Sequence, residues 1–178
     1  MQLKVILSEE DYINYNIFAN FYTSFGKRNV RNYRMMLPVA LILVDIGIWL
    51  FTKDMFITSF EVIFTVIASV VWYFVCPKLL QRGVRKNIMK MKKDGELPYS
   101  KEEDLVFGDE EITGTTSREV KRVRYEDINR ISMTDDYTYI WIDAGRAWII
   151  PLHILGNRRG EFMEFLKVKV PGKIEYIN

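Results

Sequence analysis

Two carboxylates, Asp45 and Glu61, stand inside stretches that are otherwise almost wholly apolar. An ionised carboxylate in such surroundings needs a partner, water or a proton. Two readings stay open for the pair. One is functional: a proton- or ion-handling pair, or a polar clamp for a partner helix. The other is structural: two groups sharing a proton, or a contact between copies of the chain.

A second chemical feature is basic. Lys78, Arg82, Arg85, Lys86, Lys90, Lys92 and Lys93 follow the apolar region closely. Basic groups beside a membrane attract anionic lipid by about 1 kcal/mol each, so this set is a candidate lipid contact; its simpler role is to fix topology. A third set, Arg118, Lys121, Arg122, Arg124 and Arg130, falls on neighbouring β-rich runs and offers a face to an acidic lipid or protein partner. For the first set a nucleic-acid reading is weaker still, because the patch would lie against the membrane, and no nucleic-acid partner is expected.

Other chemistries are thinly represented. The single cysteine, Cys76, allows no intrachain disulfide, and the single histidine, His153, allows no multi-histidine metal site. No phosphate-binding loop, nucleophile elbow or zinc-protease signature occurs. Asp109, Glu110, Asp135, Asp136 and Asp143 sit at expected turns, where acids serve local hydrogen bonding. The expectation is a protein that is not an enzyme and has no cofactor.

The elements that position these groups follow from the segregation of charge. Residues 35–76 hold one basic and three acidic groups, whereas residues 77–97 hold seven basic and two acidic. Residues 35–52 and 55–76 are each long enough, at ~1.5 Å per residue, to cross a hydrocarbon core of about 30 Å. Only Lys53 and Asp54 separate them, so the two helices form an antiparallel hairpin. Eleven basic groups flank the hairpin against one at its tip, which by the positive-inside rule puts both ends in the cytoplasm. Trp49 and the pair Trp72–Tyr73 suit the interfacial belts. The opening MQLKVILSEEDY lacks the basic start and the long apolar run of a signal peptide.

Four segments result: 1–34, a strand and an amphipathic helix; 35–76, the hairpin; 77–97, a basic juxtamembrane helix; and 98–178, a β-domain. In the first, MQLKVIL reads as a strand able to join the β-domain. Ser8 with Asp11 reads as a capping box opening a helix over 8–25. Ile13, Ile17, Phe18, Phe21, Tyr22 and Phe25 form its apolar stripe, facing either the membrane interface or the β-domain. In the third segment Leu80, Val84, Ile88 and Met91 share one face. In the last, six runs read as strands: EEDLVF, EITGTT, REVKRVRY, INRISMT, YTYIWID and RAWIIP. NRRGEFMEFLKVKV then reads as a helix with Phe162, Phe165 and Leu166 inward. Short antiparallel strands in this number imply a small barrel or sandwich.

The order of these segments, with LVFGDEEI, RYEDINRI, YTYIWI and the IIP of Ile149–Pro151, resembles the YcxB-like bacterial membrane proteins. After IIP such proteins often carry a basic and then an aromatic residue; here the positions hold Leu152, His153 and Ile154. The resemblance implies a pleckstrin-homology-like barrel capped by a C-terminal helix, and it implies no activity. The expected fold is thus a membrane α+β protein: a two-helix transmembrane hairpin in a bacterial cell membrane, with a PH-like β-barrel or sandwich in the cytoplasm. Expected partners are membrane lipids and another membrane or cytoplasmic protein, or a second copy of the chain. Two roles follow: a membrane-anchored adaptor, or a self-protection (immunity) protein whose hairpin engages a membrane-active toxin or peptide. A third, an ion conduit using Asp45 and Glu61, requires several copies.

Overall fold

The computed structural model describes residues 1–53, 55–95 and 99–177, with the backbone alone over 55–58. Asp54 of the hairpin turn and the expected 97/98 boundary lie outside the described residues. The chain divides into two units, residues 17–90 and residues 1–16 with 91–178, the division falling inside the first helix.

The larger unit holds eight strands among the described residues: β1 Gln2–Ile6, β2 Glu102–Phe107, β3 Glu111–Thr115, β4 Val120–Arg124, β5 Arg130–Met133, β6 Tyr137–Trp141, β7 Ala147–Pro151 and β8 Ile174–Tyr176. All six runs expected as strands form strands. The opening segment does join them: β1 pairs antiparallel with β2, Leu3 opposite Leu105 and Val5 opposite Glu103. Alternation explains why, since Leu3 and Val5 are buried while Gln2, Lys4 and Ile6 face out.

The strands form two four-stranded sheets, β1-β2-β3-β4 and β7-β6-β5-β8. The expected barrel does not close: β4 and β7 are edge strands of different sheets. The two sheets are joined instead by side chains, Trp148 of β7 reaching across Gly114 of β3 to Glu103 of β2. Both edges are also blunted, β4 by Arg122 and Arg124 and β7 by Pro151, which has no N–H to donate. The short strand β8, not expected from sequence, pairs parallel with β5.

The second sheet is buried on both faces at β6, where Thr138, Tyr139, Ile140 and Trp141 are all inaccessible. One face meets the first turns of helix α1 (Glu9–Phe21), where the Tyr15 ring lies 5.7 Å from Tyr139 and 5.8 Å from Trp141. The expected capping box starts this helix. Ser8 N–H and Oγ donate to Asp11 Oδ2 at 2.8 and 2.7 Å, and Asp11 N–H donates to Ser8 Oγ at 3.2 Å. Asp11 is buried because it also accepts from Tyr137 Oη at 2.9 Å. The expected C-terminal helix is α4, Arg159–Lys169, with Phe162 and Leu166 fully buried and the Phe162 ring set edge-on to Phe107 at 5.6 Å.

The second unit holds helix α2, Ser24–Thr52, and most of α3, Met55–Lys93. The helix expected over 8–25 stops early. Thr23 caps α2, its Oγ1 accepting from Gly26 N–H at 3.1 Å, and a Cβ on Gly26 would lie 2.5 Å from the Asn20 carbonyl. Tyr22 and Phe25, placed on the expected stripe, are exposed at this corner. The basic segment is no separate helix: α3 runs unbroken through Pro77. Its seven basic residues are exposed, while Ile88 is buried and Leu80, Val84 and Met91 are half-buried, as the pattern requires. Both long helices are apolar and long enough to cross a membrane.

Candidate functional site

The seam between β4 and β7 opens into a groove of about 610 Å³. Its floor is a hydrogen bond between the sheets, Trp148 Nε1 donating to Glu103 Oε1 at 2.7 Å. The two side chains meet over Gly114, where a Cβ would fall 2.5 Å from Glu103 Oε1 and 2.8 Å from Trp148 Nε1. Only glycine leaves room for this contact. Burial pushes the Glu103 carboxyl above its ordinary range, and the Trp148 N–H and Lys121 partly oppose the rise.

One wall is aromatic. Tyr12 stacks on Tyr99 with ring centroids 4.2 Å apart. Beside them Tyr15 donates its hydroxyl to Gly145 O at 2.8 Å, and burial pushes its pKa up to about 12, so it stays protonated. The rim is charged. Arg118 and Lys121 line it from the β4 side and Arg146 from the other. Arg146 Nε is held by Asp143 Oδ2 at 2.6 Å. Asp143 also accepts the backbone N–H groups of Gly145 and Arg146. These contacts, the Gly145 N–H foremost, lower its pKa.

The free backbone edges also converge here. Ile142 N–H bonds Arg146 O and Leu152 N–H bonds Asp136 O, so by alternation the outward-directed groups on β7 are those of Ala147 and Ile149. The groove thus combines stacking faces, a desolvated carboxylate acceptor, cations and unpaired strand edges: the means to bind an extended or aromatic polar partner.

Of the five expected face residues, the structure brings Arg118 and Lys121 to the groove. Arg122 and Arg124 point to the other face of β4, toward Glu111 at 3.9 Å and Glu126 at 3.3 Å respectively. Arg130 belongs to the second sheet and lies over the Trp141 ring at 4.5 Å. His153 is exposed beyond β7. Of the basic residues on α3, Lys92 pairs with Glu9. Sequence reasoning did not mark Tyr12, Tyr15, Tyr99, Glu103, Arg146 or Trp148; the signal available was the inward, alternate position of Glu103 in EEDLVF.

In the second unit, α2 and α3 enclose a cleft lined by Asp45 together with Thr65 and Ser69. Glu61 is not part of its lining. Among the described residues no hydrogen bond joins Asp45 to Glu61. Nearer the other end of the hairpin Trp72 Nε1 donates to Tyr33 O at 3.1 Å, and the Arg34 guanidinium lies over the Tyr73 ring at 4.6 Å.

A long apolar helical hairpin inserted between the first and second strands of a two-sheet β-domain defines the class of this chain. Residues 107–166, from the end of β2 into α4, match the model of the YcxB-like protein family. No curated protein and no solved structure shows significant similarity to it.

Proposed function

We propose that this chain is a membrane-anchored, non-enzymatic binding module: α2 and α3 cross a bacterial cell membrane, and a pleckstrin-homology-like domain on the cytoplasmic side takes a partner in the groove between β4 and β7. The observation that carries the reading is the groove, where half-buried Glu103 meets buried Trp148, flanked by three tyrosines and rimmed by Arg118, Lys121 and Arg146. Anchoring is supported by exposure. None of the apolar window of α2 is buried, Phe51 is 92% exposed and Phe60 69%. Apolar surface on that scale is stable only under cover, and lipid is the cover that both length and charge flanks fit.

A photo-crosslinking amino acid placed at Ala147, in the groove, and at Val168, exposed on α4, tests the binding role in the full-length protein in native membranes. Adducts should form from Ala147 and not from Val168, and Trp148→Ala should abolish them. The same adducts from both positions, or adducts indifferent to Trp148→Ala, would refute the role of the groove.

A further inference from the structure

The cleft between α2 and α3 has a polar centre that the hairpin leaves unanswered. Thr65 is only 7% exposed, and its Oγ1 has no hydrogen-bond partner. A buried hydroxyl without a partner is uncommon and costly. Asp45 lines the same cleft, and among the described residues no hydrogen bond or ion pair engages its carboxylate. The surrounding wall is apolar, with Ile42, Ile46, Val62 and Val66. The cleft encloses about 740 Å³ and runs from Pro38 to Trp49 along α2. That is about three turns of helix at ~1.5 Å per residue.

We infer that this cleft receives a transmembrane helix of another protein, one bearing a lysine or arginine at mid-depth. The inference rests on the reading of α2 and α3 as membrane spans. Three occupants are compatible with an apolar cleft, and charge separates them. An acyl chain fills the volume but offers nothing to Asp45 or Thr65. A second copy brings no cation, because residues 35–52 and 55–76 contain no Lys, Arg or His; its only carboxylates there are Asp45 and Glu61. Facing carboxylates disfavour that assembly. A foreign helix with one basic side chain answers the carboxylate by an ion pair in low dielectric, and its approach brings a backbone or side-chain partner to Thr65. The small side chain of Ser69, one turn beyond Thr65, allows a neighbouring helix to come close.

The test uses the full-length chain, Cys76→Ser with a donor dye at Lys53→Cys, in vesicles of phosphatidylethanolamine and phosphatidylglycerol. The probe is an acceptor-labelled leucine–alanine transmembrane peptide carrying either a central lysine or a central leucine. Energy transfer should report association at least tenfold tighter for the lysine peptide. Asp45→Asn should remove the difference, Thr65→Val should reduce it several-fold, and Glu61→Gln should leave it intact. Asp45→Leu removes a charge from the span and is expected to insert well, so loss of discrimination there does not reflect misfolding. Equal binding of the two peptides by an inserted chain overturns the inference, as does self-association through Asp45 that the lysine peptide fails to displace. Failure of the chain to resist alkaline extraction overturns the membrane reading instead, so the two failures are told apart.

Discussion

Glu103 shows how one side chain sets the behaviour of the groove. Its carboxylate is stripped of water by the packing of the two sheets, and Trp148 returns a single hydrogen bond. The sign of the pH effect follows from the raised carboxyl pKa. The folded chain holds this proton more tightly than the unfolded chain, so the contribution of Glu103 to stability is full below the ordinary carboxyl pKa of about 4.3 and is lost as the pH rises through the raised value. Above that window the burial of Glu103 is therefore a burden. Glu103→Gln keeps an acceptor for Trp148 and discards the charge. It should raise the thermal midpoint of the detergent-solubilised protein at pH 7 by a few degrees, and the gain should vanish below about pH 4. A gain that persists unchanged at pH 4 would contradict the assignment. Only the inward, alternate position of Glu103 in EEDLVF was legible in the sequence; its desolvation was not. That desolvation depends on Trp148, far along the chain, and on the missing side chain of Gly114 on the neighbouring strand. The Ser8–Asp11 box was legible because its partners are three residues apart and its chemistry is local.

At the level of elements, that box does more than start α1. Asp11 joins the helix to the second sheet through the Tyr137 hydroxyl, which also accepts from Asn14 Nδ2 at 3.0 Å. Asp11→Ala should therefore cost about 2–3 kcal/mol: about 1 for the cap and about 1–2 for a half-buried hydroxyl left with a poorer set of partners. Asp11→Asn, which still accepts, should cost less than half of that. Urea unfolding of the purified chain in micelles, followed by tryptophan fluorescence, measures both; equal losses for the two variants would show that the cap and the tyrosine contact are not what Asp11 supplies. The strands were legible because alternation and turn residues are strong local signals, and EEDLVF, EITGTT and YTYIWID begin and end close to β2, β3 and β6. Strand β8 was not, since three residues after a glycine turn carry no period. Nor was the continuity of α3: Pro77 reads as a break, yet the helix passes through it. The seam escaped notice for a related reason. Barrel closure depends on which edges meet, and counting strands does not reveal that.

For the molecule as a whole, the segregated charge is the informative quantity. It sets an expected topology that a labelling experiment checks. In a Cys76→Ser background, Lys53→Cys should react with a membrane-impermeant maleimide added to intact cells, whereas Lys101→Cys should react only after permeabilisation. Reaction of Lys101→Cys in sealed cells would place the β-domain outside and sink the cytoplasmic assignment.

Strand β1 lies before the hairpin and β2 after it, yet they are neighbours in one sheet, Leu3 facing Leu105. A ladder cannot form across a bilayer, so if α2 and α3 are membrane spans, as proposed, the number of crossings between Ile6 and Glu102 has to be even. This parity argument is independent of any lysine or arginine count, and it yields the same arrangement for the two flanks. It also imposes a delay. At ribosomal speeds β1 emerges on the order of ten seconds before β2. Through that interval β1 has no ladder partner. On the proposed membrane reading, assembly of the sheet would then act as a check on insertion, because a chain that crosses only once can never complete it.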